Sequence, residues 1–394
     1  MDFRDNTVLA EFRTEIRDFI GEHLPADWAT RGGDDDGGYG ARAIDQTRAF
    51  QRALADRQWL TMAWPVEYGG LGASHWQQLI MNEEMAYHRA PGVGSNMGVM
   101  WVGPALLLYG SDAQKAQHVR AISEGDVWWC TLYSEPGAGS DLAAMQTRAV
   151  EDGDDYVING QKIWTSGAHQ SDWGWLAART DPDAPKHKGI TMFMVDMQSP
   201  GVTVRPLVNM ADGHSFNEVF FEDVRVPKSS VVGEVNRGWY HMAVALDFER
   251  SGIRSFSVGR RIVEEYADYT RSHPETGERR PSLRYDLADR AVEVAVGTHL
   301  AYRITDLQTR GIVANYESSV SKLFGSELAQ RIQATGLAML GPFGALTDVD
   351  DGWAPLRGRV GRGYVQAVSS TIAAGTSEIQ RGIIATRGLG LPRG

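Results

Sequence analysis

The sequence of 394 residues has a single cysteine, Cys130, so it cannot form an intrachain disulfide. Cys130 follows two tryptophans and has no histidine or asparagine pattern around it. A buried, inert thiol is therefore a better interpretation than a catalytic nucleophile. A disulfide-stapled fold and cysteine-based catalysis are not expected.

Excess positive charge and long apolar runs are also missing. The 39 basic and 50 acidic side chains give a net charge of −11, which argues against nonspecific binding to nucleic acid. No apolar stretch is long enough for a bilayer, and the charged first 20 residues are unlike a signal peptide. His75, His88 and His118 lack metal-ligand spacing, so we expect no metal site. These features predict a cytoplasmic protein without a membrane or nucleic-acid partner.

Hydrophobic periodicity divides the chain into three parts. Residues 1–124 read mainly as helix, with apolar residues from Val8 to Ile20 on one face and Pro25 as the stop. Residues 125–232 show period-two patterning between turn signals, which predicts a small antiparallel, β-barrel-like domain. Residues 233–394 predict a four-helix bundle. The predicted fold is α+β, mostly α.

The predicted strands are 156–158, 173–178, 190–197, 202–208 and 219–226. The predicted helices after residue 100 include 103–123, 238–272, 283–314, 317–340, 360–372 and 377–386.

Two clusters between Thr131 and Ser166 suggest a binding function. The first, SEPGAGSD at 134–141, has two glycines that let backbone approach a ligand. The second, NGQKIWTS at 159–166, predicts a tight turn at Asn159-Gly160 entering a strand that presents Trp164. An aromatic plane beside hydroxyl groups suits a flat heteroaromatic cofactor. A surface loop and a hairpin with a core tryptophan would explain the same spacing.

These clusters, with FNEVFFEDVRVP at 216–227 and GTSEIQR at 375–381, closely resemble the acyl-CoA dehydrogenase family. The four blocks occur in the family's order, and the resemblance covers nearly the whole chain. It implies the family's fold, bound FAD, and α,β-dehydrogenation of an acyl-CoA thioester to the trans-2-enoyl-CoA, as in fatty acid β-oxidation. It also implies reoxidation by an electron-transferring flavoprotein and assembly as a homodimer or homotetramer.

The resemblance also implies which residues hold FAD. The residues that align with contacts to the isoalloxazine ring are Thr131, Tyr133, Ser134, Trp164 and Ser166. Gly139 and Thr165 are assigned to the cofactor as well, and Ser140 would lie where flavin and the CoA arm meet. Thr376 and Glu378 align with contacts near the other end of FAD.

The family's reaction needs a carboxylate that takes the C2 proton while flavin N5 accepts a hydride from C3. Many members place this glutamate just before the Gly-Thr of the C-terminal block, where this chain has Ala374. Isovaleryl- and long-chain-type members carry it in a Leu-Asp-x-Glu-Arg setting, which this chain has at 246–250. The resemblance therefore implies Glu249 as the base. Without it, Glu249 would be interpreted as an ordinary solvated helix acid.

The substrate-binding set implied by the resemblance is Ser140, Leu246, Asp247, Arg250 and Ala374. The backbone N–H of Ala374 could still polarise the thioester carbonyl, because a main-chain donor survives the loss of a side chain. Arg250 would set the local electrostatics and Asp247 would face the pantetheine. The small residue at 374 leaves space for branched, long or bulky acyl groups.

The sequence departs from the family at two FAD elements. His273 and Thr276 stand where an Arg-x-x-Phe-Gly element has Arg and Phe, and Ala338 replaces a common glutamine. Nearby basic residues could replace these contacts, and the candidates are Arg279, Arg280 and Arg284. Alternatively, a different subunit supplies them. Two further readings stay open. The substrate could be tethered to a carrier protein in biosynthesis, or the chain could be a partner subunit of a heterotetrameric dehydrogenase.

Overall fold

The computed structural model describes residues 5–30, 44–91, 96–245, 251–348 and 352–392. The chain forms two compact units. The first comprises Met1–Asp35, Ser74–Ala90 and Arg250–Gly394, and the second comprises Asp36–Ala73 and Pro91–Glu249. The helices of the predicted first domain are distributed over both units, and the boundaries predicted at 124 and 232 stay predictions.

The elements confirm the predicted fold class of helices, a central sheet rich in antiparallel pairs, and further helices. Within the described residues the α-helices are α1 (Thr7–His23), α2 (Ile44–Asp56), α3 (His75–Tyr87), α4 (Gly103–Tyr109), α5 (Asp112–Gln114), α6 (Arg120–Ser123), α7 (Gly238–Ala245), α8 (Ile253–Ser272), α9 (Pro274–Arg279), α10 (Leu283–Thr309), α11 (Asn315–Leu340), α12 (Arg359–Ser370) and α13 (Ser377–Ile383). None of these helices is both long enough and apolar enough to cross a membrane.

Helix α1 forms as the sequence predicts. The Asn6 side chain caps it by accepting a hydrogen bond from the Leu9 N–H at 3.0 Å. Ile16, Phe19 and Ile20 are buried on one face, and the helix ends at His23, two residues before a proline. Local signals therefore suffice to define this element.

Helix α1 is joined to α3 by a charge cluster around Glu84, which is 3 % exposed. Arg13 donates to its carboxylate at 2.6 Å and Arg17 at 2.8 Å. Burial alone would raise the pKa of Glu84, but hydrogen bonds from His88, Arg17 and Arg13 outweigh it and lower the pKa to about 2. The carboxylate is therefore ionised throughout the physiological range.

Two predicted helices prove to be interrupted. The stretch 103–123 breaks after Tyr109, where Ser111 starts α5 with a reciprocal cap to Gln114. The stretch 238–272 is two helices, because Gly252 precedes α8 with a φ of 75°. Extended backbone at Gly110 and Ser111 ends the first helix, and left-handed Gly252 separates the second pair. Periodicity alone misses both breaks, because the apolar spacing does not record backbone angles.

The second unit is built around a mixed sheet. Its strands are β1 (Trp129–Leu132), β2 (Arg148–Asp152), β3 (Asp155–Lys162), β4 (Trp173–Arg179), β5 (Ile190–Asp196), β6 (Val202–Leu207), β7 (Phe216–Pro227) and β8 (Val231–Val232). The order is β6-β7-β3-β2-β4-β5-β8, with β1 paired to β4. Most pairs are antiparallel, while β1 and β2 each run parallel to β4. Cys130 is fully buried in β1, and burial raises its pKa to about 12, so the predicted inert thiol is confirmed.

The turn predicted at Asn159-Gly160 is wrong. Both residues lie inside β3, where the register with β7 shifts between Ile158 and Gly160. Gly160 has a φ of 154°, and a Cβ there would come within 2.5 Å of the Thr147 hydroxyl. The actual hairpin turn is at 153–154, and glycine at 160 serves a β-bulge and a close backbone approach.

We predict that Gly160→Ala lowers the free energy of unfolding by about 2 kcal/mol, because the new methyl group meets Thr147 and the backbone is strained. Gly21→Ala is the matched control, since nothing lies within 4 Å of a Cβ on that α1 glycine. The control gains about 0.5–1 kcal/mol. Chemical denaturation measures both, and equal values for the two variants would contradict the bulge assignment.

We predict that the Glu84 cluster stabilises the fold by about 3 kcal/mol at neutral pH, following from a pKa near 2 instead of 4.5. A depressed carboxyl pKa gives stability that is complete above pH 4.5 and disappears as the pH falls toward 2. Glu84→Gln should therefore lose this stability at pH 7 but little near pH 2. Urea titrations at both pH values test it, with the exposed Glu11→Gln as control.

Candidate functional site

Glu135 and Lys162 form a buried ion pair that joins the two sequence clusters. Lys162 is fully buried, and its Nζ lies 2.8 Å from a Glu135 carboxylate oxygen. The same Nζ donates to the Tyr133 carbonyl at 3.0 Å. Glu135 also accepts the backbone N–H groups of Gln146 at 2.6 Å and Thr147 at 2.9 Å. Every bond therefore ties the glycine-rich loop to its neighbours.

The pair compensates for the cost of burying two charges. Burial lowers the pKa of Lys162 to about 8, and the nearby Glu135 charge prevents a larger fall. For Glu135 burial acts to raise the pKa, but the Lys162 charge and the hydrogen bonds hold it below its ordinary value. Both groups are thus charged at neutral pH. Sequence reasoning missed this pair, although both residues lie inside the quoted clusters.

The loop above this pair leaves its glycines open. Glu135 and Ala138 exchange backbone hydrogen bonds of 3.1 and 3.0 Å, which closes a tight turn. A Cβ built on Gly137 or Gly139 would meet nothing within 4 Å, and Ser140 is exposed. The loop can therefore bring its backbone close to a ligand, as the sequence predicts.

Trp164 is presented by a strained backbone instead of by a strand. Strand β3 ends at Lys162, and Trp164 has a φ of 60° with 58 % of its side chain exposed. The Phe216 ring lies edge-on at 6.0 Å. A left-handed tryptophan is costly, so the surrounding structure must hold it there.

Asn217 fixes the backbone next to Trp164 through hydrogen bonds to Thr165. This buried residue exchanges two backbone hydrogen bonds of 3.0 Å with Thr165. Its side-chain amide donates to the Thr165 carbonyl at 3.0 Å. The amide also lies 3.1 Å from His169 and 2.9 Å from His214, whose rings stack at 4.1 Å. Asn217 falls within the recognised block at 216–227, but its role follows only from the tertiary contacts.

The residues of this unit fit a flavin. Trp164 offers an exposed aromatic plane, and Ser166 is half-buried beside it in the chain. The Thr165 hydroxyl is buried and finds no hydrogen-bond partner among the described residues, which is unusual for a buried polar group. Thr131 and Tyr133 lie in and just after β1, and Ser134 accepts the Ile163 N–H at 2.9 Å through its carbonyl. The structure thus places these candidates within one unit.

The C-terminal candidates lie in the other unit, around the start of α13. Ala374 and Gly375 are both left-handed, with φ values of 53° and 85°. The Thr376 hydroxyl caps α13 by accepting the Ile379 N–H at 3.2 Å. Lys322 donates to the Gly375 carbonyl at 2.6 Å. Two successive left-handed residues give this turn a backbone shape that a longer side chain at 374 would share only under strain.

Thr376 and Glu378 line an open cavity of 640 Å³. Arg331, Arg381 and Glu327 also line it. Arg331 is paired with Glu293 and Arg381 with Glu327, and Glu378 is exposed in the first turn of α13. The pKa of Glu378 is lowered by local backbone and Thr376 hydrogen bonds. The cavity can accommodate a polar ligand bearing hydroxyl or phosphate groups.

A second cavity, of 430 Å³, lies among α8, α11 and α12. Its apolar walls include Val258 and Ile262 from α8, Leu328 and Ile332 from α11, and Val360 from α12. We call it the bundle cavity. Its volume is in the range of small-molecule sites.

The residues that depart from the family pattern, and one basic residue close to them, make contacts within the chain. Thr276 is 3 % exposed within α9, and the His273 ring stacks on Tyr269 at 4.1 Å. Arg280 is paired with Asp286 at 2.8 Å. None of these three side chains is extended for a ligand.

The predicted base lies outside the described residues, together with three of its neighbours. These are Leu246, Asp247, Glu249 and Arg250. Their assignments stay predictions. Over the described part of the chain, no group of three or more His, Cys, Asp or Glu residues could hold a metal ion.

We predict that Lys162→Met destabilises the protein by about 3–5 kcal/mol, because it leaves the Glu135 charge buried and unpaired. The double variant Lys162→Met/Glu135→Leu should recover much of that loss, since no charge stays buried. Both variants should hold less flavin, because the loop loses its ties to Tyr133 and Thr147. Thermal unfolding and flavin absorbance measure the two effects, and an unchanged single variant would contradict the assigned pair.

Comparison with known proteins identifies the family. Models of the acyl-CoA dehydrogenase N-terminal, middle and C-terminal domains match residues 8–126, 130–224 and 236–389. Acyl-CoA dehydrogenase IpdE1 of Mycobacterium tuberculosis is 34% identical over 388 residues, covering 97% of this chain and 98% of IpdE1. Acyl-CoA dehydrogenase FadE34 of the same organism is 38% identical over 345 residues and 87% of this chain, but the match spans only 46% of FadE34.

Solved structures agree with this assignment. The Tcur3481-Tcur3483 steroid ACAD matches with a TM-score of 0.91 and 34% identity, covering all of both chains. The ChsE4-ChsE5 complex from Mycobacterium tuberculosis matches with a TM-score of 0.85 and 32% identity, again over both whole chains. The chain therefore belongs to the acyl-CoA dehydrogenase family of oxidoreductases, whose members are FAD-dependent flavoproteins.

Proposed function

We propose that the chain dehydrogenates an acyl-CoA thioester with a bulky, elongated acyl group to the trans-2-enoyl-CoA. The observation that carries the substrate class is the bundle cavity of 430 Å³, which extends along three helices and has apolar side chains from each of them on its walls. The similarity to a steroid ACAD supports a rigid, ring-bearing acyl group. An electron-transferring flavoprotein is the electron acceptor in this proposal, as the family resemblance implies.

Both alternative base positions are close in sequence to helices that line the bundle cavity. Position 249 comes four residues before α8 begins, and position 374 comes four residues after α12 ends. These two helix ends contact neighbouring turns of α11. Ser321 donates to the Ser251 carbonyl at 2.9 Å, and Ser370 donates to the Ser326 carbonyl at 3.2 Å. Glu249 as base and a small residue at 374 are thus compatible with an acyl group entering from this end.

Each residue set has a defined task in this proposal. FAD, when bound, supplies the hydride acceptor. Trp164, Thr165 and Ser166 orient the ring, and the loop at Gly137 and Gly139 approaches the polar part of the ligands. The Ala374 N–H hydrogen-bonds the thioester carbonyl as negative charge develops there, and Glu249 removes the C2 proton. A dry cavity strengthens both effects.

A second candidate is a subunit that completes its FAD site only with a different partner chain. Buried Thr276 and stacked His273 favour it, because neither is available to a cofactor of a neighbouring copy. The similarity to the ChsE4-ChsE5 complex supports the same reading. A carrier-protein thioester as substrate is a third reading, which no observed contact favours.

We predict that purified protein shows a flavin spectrum that bulky ring-bearing acyl-CoA esters bleach anaerobically, while short linear esters bleach it slowly. Glu249→Gln should lower the bleaching rate at least a thousandfold without loss of flavin, because the base is gone. Glu11→Gln is the control and should bleach normally. Fast bleaching by short linear esters would refute the substrate class, and fast bleaching by Glu249→Gln would refute the base.

The same preparation separates the candidates. A colourless protein that becomes yellow only on co-expression with a related chain supports the heteromeric subunit. A yellow protein that only carrier-bound acyl groups bleach supports the carrier-protein reading.

A further inference from the structure

The bundle cavity has a direction, which the helix contacts define. A Cβ on Gly252 would lie 2.6 Å from the Ser321 hydroxyl, and one on Gly336 would lie 2.4 Å from the Tyr266 hydroxyl. Helix α8 therefore runs parallel to α11. Near the start of α12, a Cβ on Gly363 would lie 2.8 Å from Gln333 of α11, and the end of α12 contacts Ser326. Helix α12 therefore runs antiparallel to α8 and α11. The cavity extends along α8 from Arg254 to Tyr266.

This direction fixes a near end and a far end. The near end adjoins the start of α8 and the end of α12, and Ala374 comes four residues after the end of α12. The far end is lined by Glu265 and Tyr266. Twelve residues of helix separate Arg254 from Tyr266, which corresponds to about 18 Å at 1.5 Å per residue. The far end is therefore remote from the reacting carbons.

The far end holds a tyrosine hydroxyl hydrogen-bonded to a side-chain amide. The Tyr266 hydroxyl donates to Gln333 Oε1 at 2.9 Å. With Oε1 engaged in this way, Nε2 is the remaining polar atom of the amide, and no hydrogen bond joins it to a described residue. Gly336 and Gly363 leave the space that both side chains occupy, since a methyl group at either would collide with them. A buried amide with an unused donor at the end of a cavity is a recognition group.

Positive charge surrounds the same end. Arg89 donates to both Glu265 oxygens at 3.0 Å, and Arg261 donates to one at 2.9 Å. Arg359 lies 3.3 Å from the same carboxylate, so three guanidinium groups contact Glu265. Arg89 and Arg359 line the cavity together with Glu265. Guanidinium N–H groups at a cavity wall favour a ligand atom that accepts hydrogen bonds over a cation or a donor.

We propose that the bundle cavity selects acyl groups with an oxygen acceptor, a ketone or a carboxylate, at the end remote from the thioester, and that Gln333 Nε2 donates to it. The inference rests on the proposed function and names its substrate more closely. Tyr266 is a positioning residue, because it acts by orienting the Gln333 amide. An apolar far end would leave the donor unsatisfied in the complex, which disfavours such substrates.

The test compares two acyl-CoA esters with one ring skeleton, one with a distal ketone and the other with a methylene there. The wild-type enzyme should prefer the ketone about tenfold in kcat/KM, mainly through KM, since the contact is far from the reacting carbons. Gln333→Met keeps the side-chain length and removes the donor, so the ratio should fall to about one. A distal-carboxylate ester, compared in the same way, shows whether the arginine charge makes an acid the better ligand.

Controls separate the possible failures. Tyr266→Phe should give an intermediate ratio, and Gln308→Met on α10 should leave the ratio unchanged. A wild-type ratio near one overturns the inference without any variant, and so does a Gln333→Met ratio near ten. If no acyl-CoA ester bleaches the flavin, the proposed function itself fails. If esters bleach it with no preference for a distal oxygen, only this inference fails.

Discussion

The buried pair of Lys162 and Glu135 is the interaction on which the glycine-rich loop at 134–141 depends. It holds the glycine-rich loop by the Tyr133 carbonyl on one side and by the Gln146 and Thr147 N–H groups on the other. Without it, the open glycines at 137 and 139 would have no fixed position, because nothing packs against them. A loop that must leave space for a ligand needs anchors below it, and two compensating charges provide directional anchors that apolar packing does not.

The helical unit uses glycine to a similar end. Gly336 and Gly363 bring α11 close to its neighbours while leaving room for Tyr266 and Gln333. The resulting cavity has apolar side chains from three helices on its walls and the pair of Tyr266 and Gln333 at one end. Its shape therefore depends on residues that have no side chain, and its selectivity on the few polar groups placed among them.

Local signals predicted much of the fold. Helix α1 followed from its apolar face, its Asn6 cap and Pro25, all within one stretch of chain. The failures share one cause. At Gly160 the sequence offered a standard turn signal, but pairing with β7 converts it to a bulge beside Thr147. At Ser111 and Gly252 helix breaks interrupt an unchanged apolar pattern, because burial continues on both sides of the break.

The sequence indicated the family through four short contiguous motifs. From the same motifs it predicted an FAD-binding segment and a base displaced from the usual position, which Ala374 occupies. The tertiary structure alone decided how those motifs are held and what they enclose. Lys162 meets Glu135 across 27 positions, and Tyr266 meets Gln333 across 67. Such pairs depend on which strands and helices pack together, and a burial that shifts the pKa of Lys162 to about 8 arises only after they do. No local pattern carries that information.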